Sequence, residues 1–312
     1  MIVNKEKNFI SAVVYVYNEE DRIYKFLDKL NSVLKNIFEK YEIICVNDAS
    51  VDNSSEEIKK YAKTVSGSII SVLNMSFFQG RELSMNAGVD LSIGDFVYEF
   101  DSIDMDYPEE LIIEIYQRSL KGYDIVAAAP DRNSGWRSSF FYWVYNRAAR
   151  AQYHLRTDSF RILSRRAINR VHAMSKTIPY RKALYVTCGL KMDTVSYKST
   201  GNKKKKSRID LKMQQMTASN AIVLFTDLVY KCSLAFSVLM MLLTVLIGAH
   251  TIAVYLNGKP VEGWTTTMLF LVFGFFGMFG ILTMIIKYLS VILSINFNRQ
   301  KYIIESIEKL NN

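Results

Sequence analysis

Three cysteines in 312 residues, with no two in C-x-x-C spacing, leave this chain without a zinc site or a disulfide framework. Cys45, Cys188 and Cys232 are scattered through apolar stretches and suit a reducing compartment. Histidine is equally scarce: His154, His172 and His250 are spread apart, which gives a histidine-based metal site no support. No G-x-G-x-x-G follows the first apolar segment, so nicotinamide and flavin cofactors lose their main signal, and no Walker motif is present. The N-terminus lacks an apolar core long enough for a signal peptide, so export is not expected. There is no internal repeat, and the only biased stretch is a run of lysines.

Acidic residues are also missing from two long apolar runs, Ser233 to Leu256 and Met268 to Leu293, and the first carries no charge at all. Each exceeds the ~20 residues that cross a ~30 Å hydrocarbon core. Soluble helices rarely stay apolar on every face for so long, so a transmembrane hairpin is predicted instead of two core helices. Asn257 to Thr267, with Gly258, Pro260 and Gly263, forms the connecting loop. Lys198, Lys203 to Lys206, Arg208 and Lys212 precede the hairpin, and Arg299 and Lys301 follow it, whereas Lys259 in the loop is offset by Glu262. This excess of basic residues at the outer ends predicts that both termini are cytoplasmic. The expected organisation is a cytoplasmic α/β domain over 1–197, a basic juxtamembrane segment over 198–231, the hairpin over 232–295 and a cytoplasmic tail over 296–312. A multi-pass protein of the inner, cytoplasmic membrane follows.

The formal charge of +9 would suit nucleic acid, but the basic cluster lies close to the apolar runs. Attraction to anionic lipid headgroups is the more economical reading, so the expected partner is membrane lipid and not nucleic acid.

Ahead of the hairpin, apolar β-rich segments alternate with helix-like ones. Strands are predicted over 9–16, 42–46, 69–73, 96–100 and 124–129, and helices over 19–38, 53–65, 80–91 and 109–121. That alternation implies βαβ units, a mostly parallel sheet and helices on both faces, in a domain long enough for a sizeable core. Ligands of such sheets bind outside the carboxyl ends of the strands. Acidic clusters follow three of the strands there: Asn18-Glu19-Glu20, Asn47-Asp48 through Asp52, and Asp101 through Asp104, Asp106 and Glu109. Converging carboxylates need a cation or donors between them, which points to a metal–nucleotide site. Helix capping is the competing reading: Asp48 or Ser50 could cap the second helix, and Asp106 with Glu109 has capping-box spacing.

At these residues the chain resembles glycosyltransferase family 2, in the polyprenyl-phosphate branch that includes dolichol-phosphate-mannose synthases and bactoprenol glucosyltransferases. Val13 through Glu20 (VVYVYNEE) is similar to VVxPVYNEE, with Tyr15 in place of proline. Tyr41 through Asp52 is similar to YEIIFVDDGSxD, with Asn47 for the first Asp. Gly80-Arg81-Glu82 through Ala87-Gly88 and Gly94-Asp95 fits G(K/R)xxALxAG…GD, and Ser159 through Arg165 fits xFRLxSR. Val195-Ser196-Tyr197 followed by Ser207-Arg208 fits the VPY…SK stretch before two spans. Three departures stand out. The D-x-D metal motif reads Asp101-Ser102-Ile103, Phe78 stands where asparagine is usual, and the Arg ahead of the SK pair is absent.

The resemblance implies a GT-A-like fold and inverting transfer of a hexose-type sugar from a nucleotide-diphosphate sugar donor to polyprenyl phosphate, with Mg²⁺ or Mn²⁺ as cofactor. It implies nucleotide-sugar contacts at Tyr17, Asn18, Glu19, Asn47, Asp48, Gly80, Arg81, Asp101 and Ser102. Asp101, Arg161 and Arg165 are the implied catalytic groups, and Asp101 with Asp104 or Asp106 holds the metal. Lys205, Lys206, Ser207 and Arg208 are expected to steer the acceptor phosphate, with a nonspecific headgroup anchor as the alternative role of the lysine run. A homo-oligomer such as a tetramer is implied, and Gly274, Gly277 and Gly280 offer a small-residue face for it. Two rival functions remain open: direct transfer to a glycolipid or polysaccharide, and a non-catalytic membrane binding protein.

Overall fold

The computed structural model describes residues 5–131, 136–148, 153–174, 180–199, 228–258, 261–296 and 302–311. They fall into two units: an α/β body that combines the N-terminal region with the residues from Asn298 onward, and a helical unit between them.

In the body, β1 (Ile10–Val16), β2 (Tyr41–Asn47), β3 (Ile69–Met75), β4 (Phe96–Phe100) and β5 (Ile125–Pro130) alternate with α1 (Ile23–Ile37), α2 (Ser54–Thr64), α3 (Arg81–Leu91) and α4 (Glu110–Leu120). All seven residues of β2 are buried, as a strand covered on both faces requires. α1 buries Ile23, Phe26, Leu27, Leu30, Val33 and Leu34, a 3.6-residue stripe facing the sheet. Then come α5 (Trp136–Ala148), β6 (Phe160–Ser164), α6 (Arg165–Met174), α7 (Arg181–Thr187) and β7 (Met192–Tyr197). A last strand, β8 (Ile304–Lys309), follows the helical unit in sequence.

The strands form one sheet in the order β7-β5-β6-β4-β1-β2-β3-β8. β4, β1, β2 and β3 run parallel, so their carboxyl ends and the loops that leave them share one edge. β6 is antiparallel to β4, with Phe160 opposite Phe100 and Arg161 opposite Glu99. The amino end of β6 therefore lies beside the carboxyl end of β4. α3 packs close to β1 and β2 at Gly88, where a Cβ would come within 2.5 Å of Val13 and Val46 methyls. That approach fixes where the amino end of α3 stands.

Two expectations need correction. The first helix begins at Ile23 and not at Glu19, because Asn18 turns the chain at φ 54° and residues 18–20 bond to the loop after β2. The segment over 296–312, expected as a cytoplasmic tail, contains β8, which pairs antiparallel with β3 and alternates half-buried and exposed residues.

The helical unit consists of α8 (Leu228–Asn257) and α9 (Trp264–Asn296). Their spans, Lys231–Asn257 and Trp264–Leu289, have mean hydropathies of 2.3 and 2.5 and are long and apolar enough to cross a membrane. They are not helices of a soluble core: Leu256, Phe270 and Phe273 are 74–78% exposed. Ser237 Oγ donates to the Phe279 carbonyl at 2.9 Å and lies 2.6 Å from Thr283 Oγ1. Cβ atoms built on Gly274, Gly277 and Gly280 would meet nothing within 4 Å.

Candidate active site at the carboxyl edge of the sheet

The loops after β1 and β2 are sewn together by side-chain to backbone bonds. Asn18 N donates to Ser50 Oγ at 3.1 Å, and Val51 N donates to Asn18 Oδ1 at 2.9 Å. Glu19 N donates to Ser54 Oγ at 2.8 Å, and Glu20 N to Asp52 Oδ2 at 3.1 Å. Asn47 Oδ1 accepts from Ser50 N at 3.1 Å, while its amide donates to Asn74. Ala49 holds φ 53°, a strained value for a residue with a Cβ. Asp48 is fully buried and ties this edge to the next loop. It accepts from Gln79 N and Gly80 N, each at 2.8 Å, and from the Tyr15 hydroxyl at 2.9 Å. Gly80, at φ 86°, supplies the left-handed step into α3. Tyr17 packs on Phe78 with ring centroids 4.5 Å apart, beside this edge.

Asp101 follows β4 and lies at the centre of a buried charge network. Arg161 Nη2 donates to Asp101 Oδ2 at 2.6 Å, and Arg181 Nη2 donates to Oδ1 at 2.5 Å. The same two guanidinium groups grip Glu99, Arg181 at 2.7 Å and Arg161 more closely, and the Tyr185 hydroxyl adds a bond to Glu99 at 2.8 Å. Arg161 Nε reaches Asp158 at 2.8 Å, Lys182 pairs with Asp158, and Arg181 Nε reaches Glu82 at 3.2 Å. The Arg161 and Arg181 side chains are 1% exposed and that of Glu99 is 0%, so each charge depends on its partners. Burial alone would raise the Asp101 carboxyl, but Arg161, Arg181, Lys182 and Arg81 outweigh it and hold it well below the usual range. Burial likewise opposes ionisation of Asp158, and Arg161 and Lys182 reverse the shift.

Arg81, the first residue of α3, is different. Its guanidinium lies over the Tyr15 ring, 5.4 Å from the centroid, and its Nε has no hydrogen-bond partner. Among the described residues Arg81 makes no ion pair.

The carboxylates expected to hold a cation do not form one donor set. Asp104 accepts from Arg22 and, at 3.0 Å, from Ser102 Oγ. Asp106 accepts from the Tyr197 hydroxyl at 2.9 Å and from Ser199 Oγ at 2.7 Å. It is not the cap of α4: that helix has Glu109 at its N-cap position and no side-chain capping bond. No group of three His, Cys, Asp or Glu suited to a metal occurs among the described residues. Among the described residues, the side chains gathered at this edge do not fit a divalent-cation site.

Arg165 is not brought to Asp101. It starts α6 at the other end of β4, where its Nε donates to the Gly94 carbonyl at 2.9 Å. β6 runs antiparallel, so residue 161 faces the carboxyl end of β4 and residue 165 its beginning. Lys205, Lys206, Ser207 and Arg208 lie outside the described residues. The sequence reading missed Glu82, Glu99, Asp158, Arg181, Lys182 and Tyr185. Only Glu99 left a signal: it is a lone carboxylate inside an apolar strand, two residues from Asp101 and on the same face.

Residues 11–187, more than half of the chain, match the family described as Glycosyl transferase family 2. A glycosyltransferase of Synechocystis sp. is 31% identical over 194 residues, 60% of each chain. A prophage bactoprenol glucosyl transferase homolog of Escherichia coli is 28% identical over 194 residues, covering 60% of this chain and 62% of that one. An undecaprenyl-phosphate 4-deoxy-4-formamido-L-arabinose transferase of Pseudomonas paraeruginosa is 32% identical over 133 residues, 42% of this chain and 38% of the relative. In each case the chain spans less than two thirds of the relative's length. Among solved structures, glucosyl-3-phosphoglycerate synthase of Mycobacterium tuberculosis, in complex with Mn²⁺, UDP-glucose and phosphoglyceric acid, superposes with a TM-score of 0.52. It shares 12% identity over 69% of this chain and 78% of that one, a likeness of fold.

Proposed function

The chain belongs to glycosyltransferase family 2, and from that premise we propose that it transfers a sugar, with inversion, from a nucleotide-diphosphate sugar to polyprenyl phosphate at the cytoplasmic face of the inner membrane. One observation carries the choice of acceptor: the glycosyltransferase body and two apolar helices of membrane-crossing length belong to the same chain. A water-soluble acceptor would need no such anchor, whereas a polyprenyl lipid can be met only at the bilayer. The relatives named for undecaprenyl phosphate and bactoprenol support the same acceptor.

In this reading the acceptor phosphate oxygen attacks the anomeric carbon. The bond from that carbon to the donor's β-phosphate oxygen breaks, and the nucleoside diphosphate leaves with the electron pair. A phosphate monoester has its second pKa near ~6, so the nucleophile is largely ionised at neutral pH and needs little base catalysis. Neutralising the leaving diphosphate is the harder task. Tyr17, Asn18, Glu19 and Asn47 line the edge proposed for base and ribose, and the buried Asp48 holds the loops behind it. Gly80, Arg81, Asp101 and Ser102 stand toward the diphosphate, and Arg161 fixes Asp101 and Glu99. Lys205, Lys206, Ser207 and Arg208 are proposed to steer the lipid phosphate. A divalent cation would supply leaving-group charge in this family, but the side chains here do not fit one, and no step is assigned to it.

Protein purified in detergent, given undecaprenyl phosphate and a panel of labelled sugar nucleotides, should yield a lipid-extractable sugar with at least one donor. Label arriving only on a glycolipid or polysaccharide would favour direct transfer. Nucleotide binding without turnover on any acceptor would mark a binding protein.

A further inference from the structure

We propose that this protein binds its donor diphosphate without a divalent cation, the carboxylate that would hold one being committed to Arg161 and Arg181 while Arg81 receives the phosphate charge. The proposal rests on the glycosyl-transfer reading above and concerns how that site meets its donor.

Each oxygen of Asp101 already accepts from a guanidinium, at 2.5 and 2.6 Å. A Mg²⁺ ion must sit at ~2.0–2.1 Å from its carboxylate oxygens. At Asp101 it would lie against two permanent positive charges that cannot lose a proton. The position two residues on, where a second carboxylate would complete the pair, is Ile103, which is 6% exposed and part of the hydrophobic core. Asp104 and Asp106 are held by other partners and form no triad with Asp101 among the described residues.

Glu82, Glu99, Asp101 and Asp158 are each already ion-paired to Arg161, Arg181 or Lys182, so every carboxylate of the network faces a cationic side chain. Arg161, Arg181 and Lys182 are committed to ion pairs, but Arg81 is held by the face of Tyr15 and its Nε is unbonded. It opens α3, an eleven-residue helix, after Gly80. The helix amino end and the guanidinium thus favour the same anion, and a diphosphate is the ligand with the charge to use both. Arg181 is a positioning residue in this arrangement: it occupies Asp101 and leaves Arg81 unpaired.

The test uses full-length protein in detergent and calorimetric titration with UDP, GDP, ADP, CDP and dTDP, each in EDTA and again in excess Mg²⁺ or Mn²⁺. The expected result is that the preferred nucleotide binds with the same Kd, within threefold, in all three buffers. Arg81→Met should weaken that binding at least tenfold at an unchanged Tm, and Arg81→Lys should restore part of it. Binding that tightens tenfold or more with metal, or that appears only with metal, overturns the proposal and leaves glycosyl transfer intact. Undiminished affinity in Arg81→Met also overturns it. If no nucleoside diphosphate binds in any buffer, the donor reading itself fails and the proposal fails with it.

Discussion

Asp101 is a buried carboxylate shared, together with Glu99, between two buried guanidinium groups. Truncating one partner leaves the others charged in a poorly solvating interior, so Arg161→Met should destabilise the body by ~3–5 kcal/mol, measured by urea unfolding. The pH dependence follows from the sign of the Asp101 shift. Its folded value lies well below its unfolded value, so its contribution is present above the unfolded value of ~3.9 and is lost as pH falls through the folded one. The urea midpoint should hold from pH 7 to about 5 and fall below about 4. That fall should be shallower in Asp101→Asn. Ala49 is a simpler case. Its φ of 53° costs a residue with a Cβ ~1–2 kcal/mol, and glycine returns part of that through its freer unfolded chain. Ala49→Gly should raise stability by about 1 kcal/mol by the same measurement.

Among the elements, β8 has the widest reach. It covers the edge of β3, and Ile303 just before it exchanges hydrogen bonds with the Gln79 side chain at 2.6 and 2.9 Å. Gln79 N in turn holds Asp48, so this strand braces the loop that leads into α3 and Arg81. Ending the chain at Lys301 should uncover β3. Hydrogen exchange at amides 69–75 should then accelerate by at least about tenfold, while β1 and β4 keep their protection. Equal acceleration across the whole sheet would show that β8 is instead needed for global folding.

For the molecule as a whole, the pairing of β8 with β3 bears on topology independently of the basic residues. The chain leaves the body before α8 and rejoins the same sheet after α9, so the two crossings proposed for these helices would begin and end on one side. A reporter fused after Asn312 and one inserted at Gly258 should therefore read out opposite sides. A cytoplasmic signal at Gly258 would remove the hairpin.

The amino-acid sequence determined the parts of this protein that are local. Apolar runs flanked by turn residues set β1 to β5, amphipathic spacing set α1, and length with unbroken apolarity set α8 and α9, because each pattern is complete within its own segment. Strand ends with clustered polar residues also marked the carboxyl edge as the candidate site. Tertiary structure alone decided what those residues do there. Arg161 meets Glu99 through antiparallel register, and Arg181 and Lys182 reach Asp101 and Asp158 from a helix some eighty residues beyond Asp101 in the chain. Arg165, four residues after Arg161, lies at the wrong end of β4. β8 was unreadable in advance for a related reason. An edge strand of six mixed residues has no period strong enough to declare itself, and its partner lies more than two hundred residues earlier.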